Sequence, residues 1–266
     1  VLTIALICIS LLTLGFFGEK YINKKEVYQK SLVKNFEEGQ TLELGFSHFH
    51  YAARFNTVNF AQYNKAWEIN MFYISYDLTN HEQLKKEKLM ERRCQKETWE
   101  GVSLEYDLQN IQAATCFETN GISLSGNTHY GVLNKLELEV KLSSEIMQDE
   151  VLYKAINNQT HISPPKLEFY FYNSMFSSQG GSGEVSHYID KFSYEMHLET
   201  YKESTLHVSL DELITIEDKF LLNDETKISE FVTKATYERS SIRNSTSDVN
   251  FILDLIPSQT KNITEY

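Results

Sequence analysis

Proline and glycine are scarce in this sequence, with 3 and 11 occurrences, so no long Pro- or Gly-rich linker divides the chain. The 3 cysteines form neither a C-x-x-C pair nor a Cys/His zinc pattern. Short catalytic signatures are missing as well. There is no G-x-S-x-G, no phosphate loop of the G-x-x-x-x-G-K-[ST] type, no H-E-x-x-H and no EF-hand loop. Positive charge is in deficit: a net charge of −12 and a pI of about 5.2 repel a phosphate backbone and exclude nucleic acid as the expected partner. Solubility is the first reading of that acidity, and a cation-concentrating surface is the alternative.

What is abundant is apolar and aromatic. With 41% hydrophobic residues in 266, the chain can bury a real core. Its 16 Tyr and 16 Phe favour pleated, half-buried surfaces and so lean towards β structure. Residues 1–17, VLTIALICISLLTLGFF, carry no charge. At ~1.5 Å per residue the run is just short of a ~30 Å hydrocarbon core, and a few residues upstream of Val1 would complete it. A transmembrane helix is the leading reading, against a signal-peptide core and a fully enclosed soluble helix.

The side of the membrane is contested within the sequence. Lys20, Lys24, Lys25, Lys30 and Lys34 follow the apolar run and argue for a cytoplasmic body. Three sequons, at Asn158, Asn244 and Asn262, argue for an extracytoplasmic, N-glycosylated one. A chain this rich in Asn, Ser and Thr yields such triplets by chance, so their weight is small. Cys94 and Cys116 are the pair available in the body; a disulfide in an oxidising compartment and two free buried thiols are both open.

Residues 19–36 are expected to continue as a helical stalk, with Tyr21, Tyr28, Leu32 and Phe36 near one face. The period then changes to two. Val102, Leu104, Tyr106 and Leu108 alternate with polar residues. So do Leu136, Leu138, Val140 and Leu142, with Lys135, Glu137, Glu139 and Lys141 on the opposite face. Further strands are expected at 41–49, from Trp67, at 167–172, 192–198, 206–210, 231–237 and 251–255. Residues 81–93 and 144–155 are expected as two helical insertions. Pro164 and Pro165 cannot sit inside a helix or a central strand and mark a boundary. The glycine-rich segment 179–183 reads as a hairpin tip rather than a phosphate loop.

Together these expectations give a mainly β fold: an antiparallel β-sandwich type body, with an N-terminal transmembrane helix and two short helical insertions. The expected divisions are a membrane helix at 1–18, a stalk at 19–37, a first β-rich domain at 38–160 and a second at 161–266. No catalytic, cofactor-binding or metal site emerges. His48 and His50 fall on one side of an expected strand, but no third ligand is near in sequence. Asp211, Glu212, Glu217 and Asp218 read as solvated acidic turns rather than a cation site.

The order of features resembles the transmembrane proteins expanded in ciliates: the run 1–17, then Cys94 and Cys116, then Gly121-Ile-Ser-Leu-Ser-Gly126, then Pro164-Pro165 followed by Lys166-Leu-Glu-Phe-Tyr-Phe-Tyr172. More distantly, it resembles the cargo receptors of early secretory vesicles. Both resemblances imply a β-rich body between two apolar helices, the second of them beyond Tyr266. The expected function is that of a non-enzymatic membrane-anchored structural or assembly protein, its body extracytoplasmic at a cell or ciliary surface or in the secretory lumen. Membrane lipid and other protein subunits or copies of itself are the expected partners. A cargo or adhesion receptor and an accessory subunit of a mitochondrial membrane complex are the alternatives.

Overall fold

A computed structural model describes residues 30–35, 40–44, 50–56, 67–126, 131–162, 164, 166–177, 184–195, 202–219, 224–242 and 249–265, together with Ser10, Thr13 and Gly15, which are helical. The rest of the expected membrane helix lies outside the described residues. Among those described, no helix is long and apolar enough to cross a membrane.

The body is mainly β, in two sheets. The larger holds β13 (Asp224–Ile242), β12 (Lys202–Lys219), β14 (Val249–Glu265), β9 (Val132–Leu142), β4 (Trp67–Asp77) and β5 (Glu82–Lys88) in that spatial order. β1 (Lys30–Asn35) adds to β14, and the pair β2 (Gln40–Leu44) and β8 (Ile122–Gly126) adds through β9. The smaller runs β11 (Glu184–Glu195), β10 (Lys166–Ser177), β3 (Tyr51–Asn56), β7 (Thr115–Phe117), β6 (Glu91–Arg93). Each sheet draws strands from both sides of residue 160, so the two expected domains do not form one sheet each. The hairpin expected around 179–183 is β10–β11, with Ser177 opposite Glu184.

Alternation puts the core where the sequence places it. In β9, Leu136, Leu138, Val140 and Leu142 are buried, in register with Leu255, Leu253 and Phe251 of β14 and with Met71 and Ile69 of β4. β10 presents Leu167, Phe169 and Phe171 to that same core. Phe169 stacks on Phe251 at 5.7 Å between ring centroids, and Tyr194 of β11 meets Phe251 at 4.5 Å. The two sheets therefore share one core. A buried polar clasp joins them beside it: Asn173 Nδ2 donates to Thr233 Oγ1 (2.9 Å), and the Thr233 backbone N–H donates to Asn173 Oδ1 (2.9 Å).

The opposite face of β10 is buried too. Tyr170 and Tyr172 pack with Trp99, Val102, Tyr106 and Ile111 of a disulfide-bonded cover. The cover contains α1 (Ser103–Leu108) and lies between Cys94 and Cys116. Three layers result, with the smaller sheet in the middle.

Four expectations are corrected. Residues 103–108 form α1, capped by Val102, rather than a strand, because Val102 and Tyr106, one helical turn apart, are the buried pair, while Leu104 and Leu108 face outward. Residues 82–88 and 91–93 are strands rather than a surface helix. β5 pairs with β4, and its all-exposed, charged sequence suits an edge strand. Residues 30–35 of the expected stalk form β1, because pairing with residues 260–265 of β14 overrides the helical spacing. Finally, the sheets are not wholly antiparallel. β12 and β14 run parallel, since β14 lies on the far side of β12 from its hairpin partner β13. The helical insertion expected at 144–155 is present as α2 (Ser144–Gln148) and α3 (Glu150–Ile162), and it buries Ile146 and Ile156.

Phe251 is fully buried at the junction of the sheets. Phe251→Ala is expected to lower unfolding stability by about 3–5 kcal/mol in urea titrations of the full chain.

Candidate functional site

Where β10 and β3 run beneath the cover, a carboxylate sits within the apolar run 167–172 of β10. Glu168 is buried on the outer face of the smaller sheet, opposite Arg54 of β3 and next to Lys191 of β11. Arg54 Nη2 donates to Glu168 Oε2 (2.6 Å) and to Tyr170 Oη (2.6 Å), and the Tyr170 hydroxyl donates to Glu168 Oε2 (2.7 Å). Asn56 Nδ2 and Lys191 Nζ reach Glu168 Oε1 at 3.2 and 2.7 Å. Burial pushes this carboxyl's pKa up, but the donors from Lys191, Tyr170, Arg54 and Asn56 outweigh it and hold the pKa at about 2. Tyr170 is raised, by burial first and then by its bond to Glu168. Arg54 also donates through Nη1 to the Asn110 carbonyl (3.0 Å), which ties the cover to the sheet.

The same arginine lines a cleft of about 570 Å³. Its walls are Ala53, Arg54 and Phe55 of β3, Trp67–Asn70 of β4, and Lys88, Glu91, Ala113 and Thr115. The cleft exists because the chain changes sheets here. β5 makes its last contact with β4 when the Leu89 N–H donates to the Met71 carbonyl (2.8 Å), and residues 91–93 then pair with β7 in the other sheet. Trp67 stacks on Phe55 at 5.6 Å, and among the described residues its buried indole N–H has no hydrogen-bond partner.

A second ionic cluster crosses the far face of the larger sheet. Lys135 Nζ lies 2.7 Å from Glu137 and 2.6 Å from Asp254, His207 Nδ1 is 3.3 Å from Asp254, and Lys86 of β5 pairs with Glu139. Burial raises the Asp254 carboxyl. It also lowers the Lys135 ammonium, but the Asp254 and Glu137 carboxylates more than offset it and leave Lys135 raised. These groups compensate one another's charge.

Cys94 and Cys116 form the disulfide. Asn158 is exposed on α3. Asn262 lies in β14 between Val33 of β1 and Leu213 of β12, and Asn244 lies outside the described residues. His48 is also outside them, whereas His50 is buried against Trp99 and Tyr172 at 5.9 and 5.3 Å. Asp211 and residues 212–218 belong to the long strand β12 rather than to turns, and buried Asp211 pairs with Lys234 at 3.0 Å. Among the described residues no group of three His, Cys, Asp or Glu side chains is placed to hold a metal ion. Ser174 Oγ lies 2.9 Å from His187 Nδ1, but Ser174 is buried and the Gly101 turn closes over the imidazole. A Cβ at Gly101 would sit 3.2 Å from that ring, at a φ of +83° that also favours glycine. The pair is packed between the β10–β11 hairpin and the Gly101 turn.

Sequence reasoning missed Arg54, Glu168, Tyr170 and Lys191. The usable signal was a glutamate inside the apolar run LEFYFY, a charge that burial would force into partnership.

These features define a two-sheet β body with a disulfide-pinned cover. The profile of a family described as the uncharacterised 80 kDa protein N-terminal domain matches residues 43–255, and the chain belongs to that family. A comparison with curated proteins returned no match. Among solved structures, a proton-activated chloride channel is 8% identical, with 99% of this chain and 85% of that one covered and a TM-score of 0.30. Erv41p is 8% identical, with 90% and 99% covered and a TM-score of 0.26. At these values neither likeness bears on function.

Because the folded pKa of Glu168 is depressed, its contribution to stability is present above the ordinary glutamate range. It is lost as pH falls from about 4.3 towards 2. Acid titrations of unfolding stability are expected to show this loss, and Glu168→Gln is expected to flatten it. At neutral pH the same variant is expected to be less stable by about 1–3 kcal/mol.

Proposed function

We propose that this chain is a non-enzymatic, membrane-anchored assembly protein whose β-rich body lies on the extracytoplasmic side and works through contacts with other protein subunits. The observation that carries this reading is the outer face of α1. Leu104 and Leu108, one turn apart, are 71% and 75% exposed on a cover whose inner side chains Trp99, Val102, Tyr106 and Ile111 are buried. Adjacent exposed leucines on a rigid support suit a protein–protein contact. The Cys94–Cys116 bond supports an oxidising compartment and thus an extracytoplasmic body. The uncharged run 1–17 supports the anchor, as in the ciliate-type plan with a surface or luminal β-rich body.

The test is native assembly size. In membrane extracts the wild-type chain is expected to migrate in a complex several times its own 31.0 kDa. Leu104→Glu with Leu108→Glu is expected to release it without changing the thermal unfolding midpoint. A strictly monomeric wild-type particle, or an assembly indifferent to the double substitution, would contradict the proposal.

A further inference from the structure

The cleft beside β4 has walls made of strand edges. Within a strand, the N–H and C=O of one residue point to the same side, and successive residues alternate. The Met71 carbonyl accepts from Leu89, so Met71, Ile69 and Trp67 turn their amide groups towards the β5 side, while Glu68 and Asn70 turn theirs to β9. β5 ends before reaching Ile69, so among the described residues no strand runs beside Trp67–Asn70 on that side. The opposite wall follows the same rule. His50 accepts from the Tyr172 N–H, so the even residues of β3 face β10 and Phe55 faces the other way. β7 pairs with β3 at Ala52 and Ala53 alone, which leaves the Phe55 backbone on the cleft.

We infer that this cleft receives an extended peptide segment of a partner protein, which adds as a strand along Trp67–Ile69 and continues the path that β5 leaves at Leu89. The walls select this occupant. Trp67 and Ile69 offer paired donors and acceptors about 6.8 Å apart, the two-residue repeat of a strand. A compact ligand does not match that repeat, whereas an extended main chain does. The polar lining mixes Arg54, Glu68, Lys88 and Glu91, and Arg54 is already committed to Glu168, so the cleft has no single sign of charge to select a phosphate or a metal. The cavity of about 570 Å³ falls within the range of binding sites, roughly 300–1,000 Å³. The unpartnered indole N–H of Trp67, itself 7% exposed, supplies a further buried donor.

The inference rests on the reading that the body works through protein contacts, and it adds a second contact distinct from the leucine face. The probe is a phage-displayed library of unstructured ten-residue peptides, panned against the full chain in detergent micelles. Affinities of the selected peptides are then measured by fluorescence anisotropy. Ile69→Pro removes the N–H that faces the cleft and leaves the ladder to β9 in place. Ala113→Trp fills the cleft from an exposed position. Each is expected to weaken the selected peptides at least tenfold, while Leu104→Glu leaves them unchanged. Should Ile69→Pro fail to fold, Ala113→Trp decides alone. A library that yields no binder, or binders that Ala113→Trp does not weaken, overturns the inference. Loss with Leu104→Glu alone also overturns it, but leaves the leucine face, and with it the assembly reading, standing.

Discussion

Strand β10 is buried on both faces, and its neighbours have to supply what water would otherwise supply. Its inner face gives Leu167, Phe169 and Phe171 to the core shared with β14 and β9. Its outer face gives Tyr170 and Tyr172 to the cover and places Glu168 beneath it. An ionised carboxylate at such a position is tolerable only when fully bonded. The partners come from three strands at once: Arg54 and Asn56 from β3, Tyr170 from β10 itself, and Lys191 from β11. The requirement to satisfy one buried charge thus fixes how the smaller sheet is assembled and, through the Arg54 bond to Asn110, where the cover sits.

The cover and the cleft follow from the same arrangement. For the smaller sheet to be a middle layer, the chain has to cross between sheets, and it does so between Leu89 and Glu91 and between Asn56 and Trp67. Each crossing ends a pairing early. The edge of β4 that is unpaired among the described residues is therefore a consequence of layering, in a place where Trp67 and Met71 behind it are buried. It is along this edge that the proposed peptide would add. The exposed leucines of α1 stand on the cover, held by the Cys94–Cys116 bond and by Tyr172, whose hydroxyl donates to the Glu100 carbonyl at 2.8 Å.

How much of this was legible depended on the range of the forces involved. Period-two alternation in 132–142 and 167–172 located β9 and β10 correctly, because one face of each is strongly apolar. The same rule misread 102–108, where apolar residues at every second position are equally consistent with a helix that buries Val102 and Tyr106. It also missed β5, a charged strand held by its hairpin with β4, and β1, whose strand state comes from β14, far away in sequence. The parallel register of β12 and β14 carries no local signal, since β12 and β13 form the same hairpin whichever of them β14 joins. The pairing of Cys94 with Cys116 was open on sequence and is closed in the fold. Glu168 stands in the apolar run LEFYFY, a signal left unused, and its partners Arg54 and Asn56, more than 100 residues away, carry no local signal.

The central claim is that both sheets form one cooperative body organised around β10. Native-state amide hydrogen exchange across a denaturant series measures this directly, because it resolves the free energy of opening strand by strand. The account predicts that amides of β10 and of residues 251–255 in β14 exchange through the same global opening, with equal free energy and equal denaturant dependence. Exchange of β10 through a separate, less costly opening, with β14 still protected, would contradict it.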